Sequence, residues 1–108
     1  HIKLWFEKNG EAVLGEGIVS LLERIGLRGS IAAGASELGM SYRQAWGKLA
    51  RVERRLGGVK LVERRSGGQS GGGSELTPEA VGLIRGYRDL EEALRACMER
   101  WSAESGDR

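Results

Sequence analysis

The sequence predicts a mainly α fold with small β elements, and three observations predict it. Apolar residues recur at helical spacing in four separate stretches. A hydroxyl residue suited to capping a helix, Ser30, Ser41 or Thr77, stands before three of them. Strand-like alternation is confined to the N terminus and to residues 59–76. The chain has 108 residues, enough for one small domain with a modest core. No apolar run approaches the ~20 residues that cross a bilayer, so no membrane role is expected. No secretory signal is read at the N terminus, and a cytoplasmic location is expected. A lone Cys97 excludes an internal disulfide. With a single His1 beside it, a zinc site of the common type lacks ligands. No metal and no cofactor are expected.

Residues 2–14 read as a β-hairpin. Ile2, Leu4 and Phe6 alternate with Lys3, Trp5 and Glu7, Asn9-Gly10 is a strong hairpin turn signal, and Ala12, Val13 and Leu14 supply the return strand. A structural or dimerisation role is expected for it. Residues 17–27 follow as a helix, with Ile18, Leu21, Leu22 and Ile25 at i, i+3, i+4 and i+7. Ser30 caps a second, short helix ending near Leu38, rich in small residues (Ala32, Ala33, Gly34, Ala35) that let helices approach closely. Gly39 ends it as a left-handed residue would.

A third helix spans Ser41–Leu56. It opens with Ser41-Tyr42-Arg43-Gln44, the S-x-x-Q capping box. Two helices joined by a three-residue turn containing glycine form the helix-turn-helix pattern. Ala45, Leu49, Val52 and Leu56 share one narrow arc of the third helix, with Tyr42 and Trp46 on its shoulder. The opposite arc carries Arg43, Gly47, Arg51 and Arg54, flanked by Gln44, Lys48 and Arg55. Arginine can bond guanine bidentately and glutamine can bond adenine, so this face suits a major groove. A solvated surface helix is the plainer explanation of a charge run, but such a helix mixes signs at i,i+4 spacing, and here only Glu53 intervenes. Charge distribution agrees: residues 1–40 carry a net −1, residues 41–65 a net +6 and residues 66–108 a net −3. That is the electrostatic footprint of a DNA-binding face.

Val59–Arg65 reads as a strand, and Glu75-Leu76 as a second one pairing back to it. Between them lie five glycines in the nine residues 66–74. A phosphate-binding P-loop would need a lysine before Ser74, and a dinucleotide fingerprint would need a βαβ context; neither is present. A flexible spacer is the bland alternative. Strand, loop and strand after a helix-turn-helix form the layout of a wing, whose glycines permit close approach to phosphates while Gln69 and Ser70 offer donors. Thr77-Pro78 then opens the longest helix, running to about Trp101. Ala80, Leu83, Tyr87, Leu90, Leu94, Cys97 and Trp101 form a seam of alternating three- and four-residue steps. Its second half has little domain left to cover it, which predicts a homodimer.

From Gly29 to Leu83 the chain resembles the N-terminal winged-helix domain of ModE-type molybdate-responsive transcription regulators. Gly29-Ser30-Ile31, Ser41-Tyr42-Arg43-Gln44-Ala45-Trp46, Gly67-Gly68-Gln69-Ser70-Gly71-Gly72-Gly73 and Leu76-Thr77 carry the resemblance. The spacing is also similar, more distantly, to the DNA-binding domain of LysR-type regulators. The resemblance implies dimeric, sequence-specific DNA binding through the second helix of the motif and the wing. Members often continue into small β-barrel domains that bind molybdate. No such domain lies within these 108 residues, and molybdate binding by this chain is not expected.

The expectation is therefore a winged helix-turn-helix with an N-terminal hairpin. Residues 1–76 would form the DNA-binding domain, including hairpin and wing, and residues 77–108 a dimerisation helix and tail. The partners are double-stranded DNA and a second copy. Arg43, Gln44, Lys48 and Arg51 are assigned to base edges, and Arg54, Arg55, Arg64 and Arg65 to phosphates. Ser66, Gln69 and Ser70 act in the wing, and Ser30, Ser41 and Tyr42 lie at the helix starts. Leu83, Tyr87, Leu90, Leu94, Cys97 and Trp101 form the dimer seam. No constellation supports catalysis. The alternatives are a winged-helix protein-interaction module, or the DNA-binding half of a two-part sensor.

Overall fold

Asn9 and Gly10 have φ of 54° and 81°, the pair of left-handed conformations that a type I′ hairpin turn demands. They join β1 (Trp5–Lys8) to β2 (Glu11–Gly15) in an antiparallel pair with a register shift between Phe6 and Glu7. This computed structural model describes residues 2–65 and 73–105. The hairpin is followed by α1 (Glu16–Arg28), α2 (Ile31–Glu37) and α3 (Tyr42–Arg55), then β3 (Val62–Arg65), β4 (Gly73–Leu76) and α4 (Pro78–Ser105). β3 and β4 pair antiparallel, Val62 opposite Leu76 and Arg65 opposite Gly73. This is a winged helix-turn-helix with small β elements. Ser66, Gln69 and Ser70 lie outside the described residues.

The helices match the sequence expectations to within a residue or two, except that α4 runs on to Ser105. The wing strands differ more. β3 begins at Val62 rather than Val59, because the Leu61 N–H is taken by the Glu53 carboxylate at 2.8 Å. β4 begins at Gly73, two residues before Glu75, since Gly73 and Ser74 complete the pairing with Arg65 and Arg64.

The core forms around α1. Ile18, Val19, Leu21, Leu22 and Ile25 are all buried, and Ala35, Ala45, Leu49, Val52 and Leu61 close over them. The small residues of α2 allow the approach the sequence anticipates. A Cβ placed on Gly34 would stand 2.8 Å from the Ile25 backbone nitrogen. Thr77 ties the wing to the start of α4. Its hydroxyl donates to the Lys60 carbonyl at 2.7 Å and accepts from the Ala80 N–H at 3.1 Å.

α4 divides into two parts. Ala80 and Tyr87 are buried in the same core as α1, and Leu83 and Ile84 pack against it. This corrects the seam expectation for two residues. Tyr87 is 1% exposed, its hydroxyl donates to the Leu4 carbonyl at 2.9 Å, and its ring lies 5.9 Å from that of Phe6. Tyr87 and Leu83 are thus occupied within their own chain. The seam residues beyond them, Leu90, Cys97 and Trp101, are exposed, and Leu94 is half-buried.

Arg88 fastens α4 to α1. Its guanidinium reaches Glu16 at 2.7 Å, Glu23 at 2.8 Å and Glu91 at 2.8 Å. Hydrogen bonding from Arg88, aided by Ser20, holds the Glu16 carboxyl down at about 2. A carboxyl whose folded pKa is depressed contributes stability that is complete above its unfolded value, 4.5, and is lost as pH falls toward 2. Arg88→Met should therefore lower the melting temperature at neutral pH. The difference from wild type should shrink between pH 4.5 and 2, as measured by thermal melts across a pH series.

Candidate nucleic-acid interface

The Ser41 hydroxyl accepts from the Gln44 N–H at 3.0 Å, and Gln44 Oε1 accepts from the Ser41 N–H at 2.9 Å. This reciprocal box starts α3 and sets the rotation of the helix. Ala45, Leu49 and Val52 consequently turn into the core, and Arg43, Lys48, Arg51 and Arg54 stand in solvent. Ser30 caps α2 with a single bond, its hydroxyl accepting from the Ala33 N–H at 3.0 Å.

The cations of the protein fall into two sets. Arg24 and Arg28 pair with Glu37, Arg88 with three glutamates, and Arg95 with Glu92 and Glu99. Among the described residues, Arg43, Lys48, Arg51, Arg54, Arg64 and Arg65 have no ion pair, nor do Lys3 and Lys8 in the N-terminal segment or Arg85 and Arg100 on α4. The single acid of α3 does not offset them. Glu53 is turned toward the wing, where one oxygen accepts from the Leu61 N–H and the other lies 3.7 Å from Lys60 Nζ. The basic face is therefore formed of uncompensated charge.

Arg55 leaves the set that the sequence assigned to phosphate. Its guanidinium donates to the Ala12 carbonyl at 2.9 Å and lies 3.7 Å from Glu11, because the hairpin packs beside the end of α3. Arg65 stands at the wing base with its guanidinium over two glycines. It lies 3.2 Å from where a Cβ on Gly29 would be, and 2.9 Å from one on Gly73. Arg64 is exposed on the neighbouring position of β3. Gln44 is exposed, but its Oε1 already serves the capping box, and bidentate reading of adenine uses that same oxygen as acceptor.

The sequence reading missed Trp46. Placed on the shoulder of the apolar arc, it is in fact 56% exposed, with Tyr42 one turn earlier at 55%. The signal was angular: Trp46 lies about 90° from the centre of the buried arc at 100° per residue, too far to reach the core. Both aromatics border a cleft of about 210 Å³ between α3 and the wing, whose charged lining is mixed: Lys60 and Arg64 with Glu53 and Glu63. Gly47 lies on the cationic face, and a Cβ there would meet nothing within 4 Å. No packing constraint within the chain explains a glycine in mid-helix, where it costs roughly 0.5–1 kcal/mol against alanine.

A family model described as "Bacterial regulatory helix-turn-helix protein, lysR family" matches residues 19–81. The chain is 44% identical over 69 residues to the Escherichia coli K12 DNA-binding transcriptional dual regulator ModE. It is 40% identical over 85 residues to the molybdenum-pterin-binding protein MopB of Rhodobacter capsulatus. These alignments cover 64% and 79% of this chain but only 26% and 31% of the two relatives. The ModE-type resemblance of the helix-turn-helix region is thereby established. Among solved structures, the chain in the crystal structure of the CbnR_DBD–DNA complex superposes with a TM-score of 0.62 at 24% identity. That likeness covers 86% of this chain and all of the other, and it carries the fold.

Glu53 ties this surface together, and its loss has a definite consequence. Glu53→Ala would leave the partly buried Leu61 N–H without its acceptor, at a cost of about 1–3 kcal/mol. Urea denaturation should show that loss, and Glu53→Gln, which keeps an acceptor oxygen, should recover most of it.

Proposed function

The chain belongs to the lysR family of bacterial regulatory helix-turn-helix proteins, and on that footing we propose that it binds double-stranded DNA sequence-specifically as a homodimeric transcriptional regulator. α3 enters the major groove and the wing follows the adjacent backbone. The observation that carries this reading is the cluster of uncompensated cations on the solvent face of α3, where Arg43, Lys48, Arg51 and Arg54 stand exposed with no ion pair among them. A protein-interaction module would not require that imbalance. The relatives named as regulators support the assignment, and no enzymatic activity is assigned. Molybdate is assigned to none of the residues described.

Arg43, in the first turn of α3, is placed to read a base edge, as the leading turn of a recognition helix does. Arg51 and Lys48 continue the same face. Arg54, Arg64 and Arg65 serve phosphates. These two kinds of contact respond differently to substitution. Losing a bidentate base contact costs ~1–3 kcal/mol of discrimination at one position. Losing a phosphate contact weakens all sequences alike and lowers the salt slope by roughly 0.9. Arg43→Ala should thus flatten the preference at one position of each half-site. Arg64→Ala should weaken operator and random duplex by a similar factor. Binding of both variants to the two duplexes across a salt series checks this. Equal losses on both duplexes for Arg43→Ala would remove base reading from α3.

The second copy is placed along the outer half of α4. Leu90, Cys97, Met98 and Trp101 are exposed there on one side with Leu94, at the 3.5-residue repeat that helix pairing uses. Leu94→Glu should give a monomer in sedimentation equilibrium and weaken operator binding. Wild-type protein that is monomeric at micromolar concentration would refute the dimer.

A further inference from the structure

We propose that Trp46, supported by Tyr42, reads thymine in the major groove through the 5-methyl group of the base. This makes Trp46 a specificity-determining residue of α3. The inference rests on the DNA-binding reading above and adds the base class that its apolar contacts select.

Trp46 stands in water without a reason internal to the fold. It takes no part in the hydrophobic core, and among the described residues its indole N–H has no hydrogen-bond partner. Trp5 offers the contrast: it is also exposed, but its indole N–H is engaged by Glu7 at 2.9 Å. Tyr42 and Trp46 are four residues apart and share a face of α3, and Ala50 continues the stripe one turn on. An apolar stripe of this kind on an otherwise charged helix marks an interaction surface.

Charge determines what covers it. The aromatic stripe runs beside Arg43 and Arg54 on the same helix, and the cleft it borders is lined by Lys60 and Arg64 together with Glu53 and Glu63, of which Glu53 is engaged by the Leu61 N–H and Lys60. An apolar protein partner would have to strip water from those charges. A DNA strand supplies phosphates to the unpaired Arg43, Arg54 and Arg64 and an apolar group to the rings. In the major groove that apolar group is the thymine 5-methyl, the one methyl that base pairs display there; cytosine carries only hydrogen at the same carbon. The methyl-less deoxyuridine presents the same hydrogen-bonding groups and so isolates the contact.

The test first selects an operator from random duplexes with wild-type protein. Each thymine is then replaced singly by deoxyuridine. At one thymine or more in each half-site, removing the methyl should weaken wild-type binding about fourfold, the worth of one buried methyl-sized group. Trp46→Ala should bind the thymine and deoxyuridine duplexes equally at that position, and Trp46→Phe should keep part of the preference. Because the side chain is exposed, both variants should melt as wild type does. If no deoxyuridine weakens the wild type, or if Trp46→Ala retains the full methyl preference, the inference is overturned while the DNA-binding reading stands. If the wild type selects no sequence, that reading fails and the inference falls with it.

Discussion

Close approach to α1 is the constraint on which the rest of the structure depends. Five of its apolar residues are buried, so other elements must cover it from several sides at short range. Glycine stands at the tightest crossings. Gly34 brings α2 down onto Ile25, where a Cβ would stand 2.8 Å from backbone. Gly73 brings β4 against the end of α1, where a Cβ would overlap the Gly29 carbonyl oxygen. That same carbonyl accepts the Ser74 N–H at 2.8 Å. Forcing a methyl group into such a contact typically costs ~1–3 kcal/mol, and neither backbone can move without carrying an element of the motif with it. The wing and the recognition-type helix are thereby held in one frame, which a surface that reads DNA requires.

The second organising feature is the division of charge. Arg24 and Arg28 of α1 and Arg88 and Arg95 of α4 are engaged by neighbouring glutamates and work within the fold. Arg88 bridges the two helices, and its guanidinium lies 5.5 Å from the centre of the Tyr87 ring. On α3 the acid that sequence places among the bases is withdrawn. Glu53 uses its carboxylate to close the turn between α3 and β3, so the same group that stabilises the wing base also removes negative charge from the candidate DNA face. Two structural requirements, a satisfied Leu61 N–H and an uncompensated cationic surface, are met by one side chain.

Much of this was legible because it depends on local rules. The Asn9-Gly10 turn, the Ser30 cap and the Ser41–Gln44 box are short-range hydrogen-bonding and backbone preferences, and each occurs where the residues predict it. The buried arcs of α1 and α3 follow from helical periodicity alone. The wing strands were placed less well. Val59–Leu61 have strand-like composition, but the partner of the Leu61 N–H is Glu53, eight residues back, and no local pattern reveals a competition of that kind. The site was legible in its charge and not in its pairing. Arg55 reads like its neighbours along the helix, and only the fold brings Ala12 and Glu11, 43 and 44 residues away, against it.

The sequence by itself determined the order of elements, the motif and the concentration of positive charge at residues 41–65, because caps, turns, periodicity and composition act over a few residues. The tertiary structure decided which of the like-looking residues are free. It buried Tyr87 and half-buried Leu83 while leaving Leu90 and Trp101 uncovered, since the body ends partway along α4. It tied down Arg55 and left Arg43 and Arg54 in solvent, and it turned Trp46 outward beside the wing. These outcomes depend on contacts between residues far apart in the chain, where helical spacing gives a side chain its direction but not its neighbour.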